Sequence, residues 1–163
     1  MQDRFRANGG YILIESIIAI TIVTVGLLGI FSLLSRSLSL NRVVADRFVA
    51  SYLAAEGVEI AKNVVDDNIL AGKPWNDGLS AGSYEADYRD SSLRSVSGDA
   101  LRLDPDTGAY GYSEPKPTPF HRVITAAPSA DGEGLSVGSR VDWTTRGGGK
   151  FSIYLEEHLM HWR

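Results

Sequence analysis

Residues 11–34 read YILIESIIAITIVTVGLLGIFSLL. From Ser16 to Ser35 there is no charged side chain, and Ile17, Ile18, Ile20, Ile22, Val23, Val25, Leu27, Leu28, Ile30, Phe31, Leu33 and Leu34 carry the apolar weight. Wound as a helix, such a stretch is about 30 Å long, the thickness of the bilayer hydrocarbon core. It reads as a membrane-spanning helix. Glu15 stands at its N-terminal edge. A carboxylate there is costly to desolvate, so it needs a partner or a purpose.

Upstream, Arg4 and Arg6 outweigh Asp3, and the next basic residue is Arg36. That bias predicts a cytoplasmic N-terminus and an extracytoplasmic C-terminal part. The apolar run is too long for the core of a secretory signal peptide, and its small residues, Gly26 and Gly29, lie inside it rather than beyond it. A permanent anchor explains the length and the orientation but leaves Glu15 without a role.

The stretch Gly9-Gly10-Tyr11-Ile12-Leu13-Ile14-Glu15, followed by an uncharged helix, resembles the class III signal of type IV prepilins and pseudopilins. The resemblance implies a leader of residues 1–10, cut by a membrane aspartyl peptidase between Gly10 and Tyr11, with the same enzyme N-methylating Tyr11. Glu15 then matches the glutamate five residues into the mature chain. Tyr11 stands where the family usually has phenylalanine or methionine. Gly26, Gly29 and Ser32 stand near the place of the family's common helix-breaking proline.

Implied partners are other pilin subunits, the prepilin peptidase/methyltransferase, an inner-membrane platform protein and an assembly ATPase. The implied location is the inner or cytoplasmic membrane before assembly, single-pass, and a surface or periplasmic filament afterwards. The modest size and the glycine-rich, proline-free helix resemble minor pilins of the pilus-modification type more than major pilins. Two other readings stand beside that one: a pseudopilin of a type II secretion or DNA-uptake machine, and an uncleaved, membrane-anchored extracytoplasmic binding domain.

Two features of the helix have a physical reading. Cleavage would expose a cationic amine on Tyr11 at the bilayer edge, and a desolvated carboxylate and amine cost far less together than apart. Glu15 of one subunit would meet the amine of its neighbour. Gly26 and Gly29, with Ser32, share one helix face, where small residues permit close helix approach in lipid or local loosening of the helix.

From Ser35 to Leu70 there is no proline, and Gly57 is the only glycine. The helix is therefore expected to continue from the 11–35 segment through 36–70, for about 90 Å in all. Val44, Phe48, Tyr52, Ala55 and Val58 recur at near-helical spacing on one side, and Val49, Leu53, Ile60 and Val64 on another. A helix apolar on two sides needs two partners. Glu56 and Glu59 read as part of a charged face.

Residues 71–163 read as a β-rich extracytoplasmic head. Gly72 to Gly78 is a turn-rich loop. Strands are expected around Tyr84–Tyr88, Leu101–Leu103 and Phe120–Ala126, then along Leu135–Trp143 and Phe151–Leu155. Gly147-Gly148-Gly149 supplies a turn, and Glu114–Pro119 is a stiff connector. The last residues, Glu156 to Arg163, suggest one or two helical turns with Leu159 and Trp162 facing the body. The fold class is α+β and pilin-like: a long N-terminal helix packed against an antiparallel sheet.

The chain has 163 residues, a formal net charge of -4 and no cysteine. Cysteine chemistry is excluded, and the charge offers no general attraction for nucleic acid. Asp104-Pro105-Asp106-Thr107-Gly108 lacks the full ligand set of a calcium loop and reads as a turn. His158 and His161, with Glu157, form no recognised metal motif, and no nucleophile elbow, phosphate loop or zinc-protease motif occurs. The sequence predicts no enzyme, no catalytic residue, no metal and no cofactor.

Overall fold

The computed structural model describes residues 4–161, with side chains from Gly10 onward. The Arg4 and Arg6 side chains and Asp3, on which the predicted orientation rests, and Trp162 lie outside the described residues. Helix α1, Arg4–Leu70, is followed by eight strands: β1 Gly82–Glu85, β2 Arg94–Ser95, β3 Arg102–Leu103, β4 Tyr110–Gly111, β5 Lys116–Pro117, β6 Phe120–Pro128, β7 Gly134–Thr144 and β8 Lys150–Met160. The architecture is α+β, as expected. The chain divides into two compact units, Met1–Val44 and Ala45–Arg163.

The first unit is helix alone. Ser16, Thr21 and Thr24 donate their hydroxyls to the carbonyls of Ile12, Ile17 and Ile20, four residues back, at 2.7–2.8 Å. These polar side chains therefore need no outside partner. The helix is unbroken through Gly26 and Gly29.

In the second unit, the remainder of α1 lies on a five-stranded antiparallel sheet of order β2-β1-β6-β7-β8. The three short strands form a separate sheet, β4-β3-β5. Leu135, Val137, Val141 and Trp143 share one face of β7, and all are buried, as their parity predicts. They meet Phe120, Ile124 and Ala126 of β6 and two groups on the helix. Ala50, Leu53 and Ala54 join Phe120, Val141, Trp143 and Leu101. Ile60, Ala61, Val64 and Val65 join Ile124, Ala126, Leu135 and Val137.

Between these two apolar layers, each element contributes one different residue: Gly57 from α1, Arg122 from β6 and Ser139 from β7. A Cβ on Gly57 would stand 2.3 Å from Ser139 Oγ and 3.0 Å from Arg122 Cδ. Only a glycine lets helix and sheet approach this closely. Arg122 is fully buried. It donates to the Leu53 carbonyl of the helix at 3.1 Å and to the Ala86 carbonyl at 2.6 Å, and it lies 3.2 Å from the Glu56 carboxylate.

The helix ends on Gly72, at φ 67°. Its amide donates to Ile69 O and that of Lys73 to Asn68 O, the paired bonds of a Schellman end. Buried Asn68 then holds the following loop by donating to the carbonyls of Trp75 and Asp77. The predicted turn between β7 and β8 forms, with Gly148 at φ 80° and Thr145 bonded to Gly149.

Three expectations need correction. The segment from Glu156 is strand rather than helix: β8 continues to Met160, with Leu159 opposite Leu135. The Leu155 and Leu159 spacing suits a helix turn, but the long β7 offers an unpaired edge that claims the backbone. The strand at Tyr84 stops at Glu85, leaving exposed Tyr88 in a turn. Glu56 does not belong to a solvated face, because buried Arg122 draws it inward. Glu59 remains exposed, 3.5 Å from Lys62.

Replacing Gly57 with valine should lower the stability of the second unit by about 1–3 kcal/mol, the usual cost of overpacking. The expected readout is a lower denaturant midpoint in tryptophan fluorescence, with Trp75 and Trp143 as reporters. An unchanged midpoint would mean that helix and sheet do not touch at Gly57.

Candidate functional site

Gly10, Tyr11, Glu15, Gly26 and Gly29 all fall on the first unit. Tyr11, Glu15, Ile18 and Ile22 follow one another along one face at helical spacing. Glu15 is the only charged residue between Tyr11 and Ser35. Among the described residues, no cation meets its carboxylate. Tyr11 is 75 % exposed and Ile12 60 %, so the Gly10–Tyr11 peptide bond lies on an open helix surface.

The apolar side chains that follow are exposed on every side: Ile17, Val23, Leu27, Ile30 and Phe31 all exceed half exposure. Within this unit the helix has no core to bury them in. A helix apolar all round is stable in an apolar surrounding, either lipid or other helices. This is the one helix among the described residues long and apolar enough to cross a membrane. A Cβ at Gly26 or Gly29 would meet nothing within 4 Å.

Lower on the helix, the two predicted sides separate. Leu53, Ile60 and Val64 are buried under the sheet and Val49 is half-buried, whereas Val44, Phe48, Tyr52 and Ala55 are exposed. Val58, placed with the outward set by its spacing, is buried instead. Phe48 and Tyr52 touch edge to face, with ring centroids 5.1 Å apart.

Several other titratable groups are engaged by neighbours of their own chain. The Asp104 carboxylate accepts from the Thr107 hydroxyl and the Asp106 amide of its own turn, bonds that hold it below the usual carboxylate range. His158 lies 3.5 Å from Glu156, and His161 stacks on Trp75, 3.7 Å from Glu133, so the two histidines serve different partners. Beside the Arg122 layer, Tyr112 has its hydroxyl buried and Arg94 over its ring at 4.6 Å. Burial pushes its phenol from 10.0 up to about 12, against the opposing pull of Arg122 and Arg94.

Sequence reading missed Arg122, an arginine on the otherwise apolar buried face of β6, and Asn68, the last buried side chain of the helix. The parity of Arg122 with Phe120, Ile124 and Ala126 was the available signal for the first. Nothing local marked the second.

Compared with protein-family models, with curated proteins and with solved structures, the chain matches none.

Tyr112 gives a pH signature. Its folded pKa is raised, so the neutral phenol's contribution is complete below pH 10 and is lost as pH rises through about 12. The stability difference between the native chain and Tyr112→Phe should therefore shift against the native chain between pH 8 and pH 11. Denaturant midpoints measured at both values read this directly, and a constant difference would count against a buried phenol.

Proposed function

We propose that the chain is a structural subunit of a type IV pilus-like filament, processed after Gly10 and assembled through its N-terminal helix. The observation that carries this reading is a helix with apolar side chains exposed all round and one carboxylate, Glu15, four residues beyond the proposed new terminus. The helix has the length and apolarity for a single membrane crossing, which suits a subunit held in the bilayer before assembly. Extraction into a filament would exchange lipid contacts for helix contacts, so the apolar surface is solvated in both states.

The Tyr11 amine, freed by cleavage, would be cationic at the bilayer edge. Glu15 of an adjacent subunit would neutralise it, fixing the axial register of one helix against the next. Gly26 and Gly29, open to the outside, would let neighbouring helices approach closely. The exposed Phe48 and Tyr52 would extend the same contact beyond the membrane segment. The peptidase/methyltransferase, platform protein and assembly ATPase belong to this reading as partners. Nothing in it requires a metal, a cofactor or catalysis.

The N-terminal peptide from the native membrane or surface fraction tests the proposal. A chain beginning at N-methylated Tyr11 is expected, whereas one beginning at Met1 would favour an anchored domain. Gly10→Val should abolish maturation. Glu15→Val should be processed normally yet reduce incorporation into sheared filaments by at least about tenfold, since an unpaired buried charge costs about 3–5 kcal/mol. Normal incorporation of both variants would overturn the mechanism.

A further inference from the structure

Strand β8 ends the five-stranded sheet. It pairs with β7 along eleven residues, from Gly134 opposite Met160 to Thr144 opposite Lys150, without a break in register. Among the described residues nothing pairs with its other edge. The usual defences of an edge strand are proline, a bulge, shortness, or charges projecting across it. β8 has no proline and no bulge, and two of its charges are held on their own chain. Glu156 accepts from Ser136 at 2.5 Å and from Tyr154 at 2.9 Å. Glu157 lies 3.3 Å from Lys62.

The helix-facing side of β8 carries Phe151, Ile153, Leu155, Glu157 and Leu159. The corresponding face of β7 is buried, but these side chains are only half-covered, and Leu155 is 39 % exposed. An added strand would cover Phe151, Ile153 and Leu155 and satisfy free backbone groups at the same time.

We propose that this edge takes β8 of a second copy of the chain, antiparallel about a two-fold axis at Ile153. The amino-acid order selects both the occupant and the register. With Ile153 opposite itself, Phe151 faces Leu155 on the helix side. On the other side Ser152 faces Tyr154 and Lys150 faces Glu156, so the axis generates two Lys–Glu pairs. Lys150 has no partner among the described residues. The hydrogen bonds to Glu156 hold its carboxyl below the usual range, which keeps it charged for this contact. A two-fold axis at Tyr154 would set Phe151 against Glu157, and one at Leu155 would set Ile153 against Glu157 and Lys150 against Met160. Neither matches charge with charge and apolar with apolar.

The pairing has a geometric consequence. Its axis is normal to the sheet, so it reverses the part of α1 that lies on the sheet. In this contact the two copies of that segment run antiparallel. The contact is separate from the helix-mediated assembly proposed above and does not depend on cleavage at Gly10.

A chain without cysteine makes the test direct. Single cysteines are introduced in the full-length protein in detergent, where copies meet in any orientation, and mild oxidation is applied. Facing residues in an antiparallel pair have Cα atoms about 4.5 or 5.5 Å apart, within disulfide reach. Ile153→Cys should give a covalent dimer. Leu155→Cys alone should not, because its copies would lie about 13 Å apart along the strand. Mixing Phe151→Cys with Leu155→Cys should restore a cross-linked heterodimer.

Lys150→Glu should slow the Ile153→Cys cross-link about five- to tenfold by turning two cross-strand attractions into repulsions, and adding Glu156→Lys should recover it. The Gly10→Val background should cross-link equally well, so failure here leaves the filament reading intact, and the reverse. Absence of the Ile153→Cys dimer, self-cross-linking of Leu155→Cys, or equal yields from Ile153→Cys and the exposed control Val96→Cys would overturn the proposal.

Discussion

An apolar helix that finds no core within its own unit must be solvated by something else. From Tyr11 to Leu34 two-thirds of the side chains are large and apolar, and every side of the helix is exposed. In water that surface would cost about 25 cal/mol for each Å² left uncovered. Internal hydroxyl bonds from Ser16, Thr21 and Thr24 remove their own demands on a surrounding medium. Among the described residues of this segment, Glu15 alone keeps an unmet electrostatic need.

Past this segment the same helix meets the opposite situation. It completes the core of the second unit by lying on a sheet, and the contact has a definite layering: apolar, then Gly57–Arg122–Ser139, then apolar again. A buried arginine is tolerated because two backbone carbonyls and Glu56 surround it. Replacing it with an apolar residue would strand that acid and leave both carbonyls short of a donor. The layer therefore fixes how far along the helix the sheet sits, a role that continuous apolar packing performs poorly because it can slide.

Much of this was legible in the residues. The alternation along β7 named its buried face correctly, and the glycine run before β8 marked the turn. The absence of proline between Ser35 and Leu70 gave the helix its continuity. Less was legible where local preference and tertiary pairing disagreed. Leu155 to Met160 carries leucines at helical spacing, yet it forms strand because eleven backbone positions of β7 are there to be paired. Glu56 looked like one of several surface acids, since its partner lies far away in sequence. Of the candidate site, the residues themselves could be named from their order, but their shared open surface came from the structure.

The sequence by itself determined that an apolar helix bearing one acid precedes a head with alternating strands, because those properties depend on composition and period alone. Only the tertiary structure decided that β8 is the exposed end of the sheet and that Arg122 lies beneath the helix. It also decided that Gly57 is the point of closest approach. Each of these depends on which distant segments come together, and pairing between distant segments leaves no mark on the residues considered one stretch at a time.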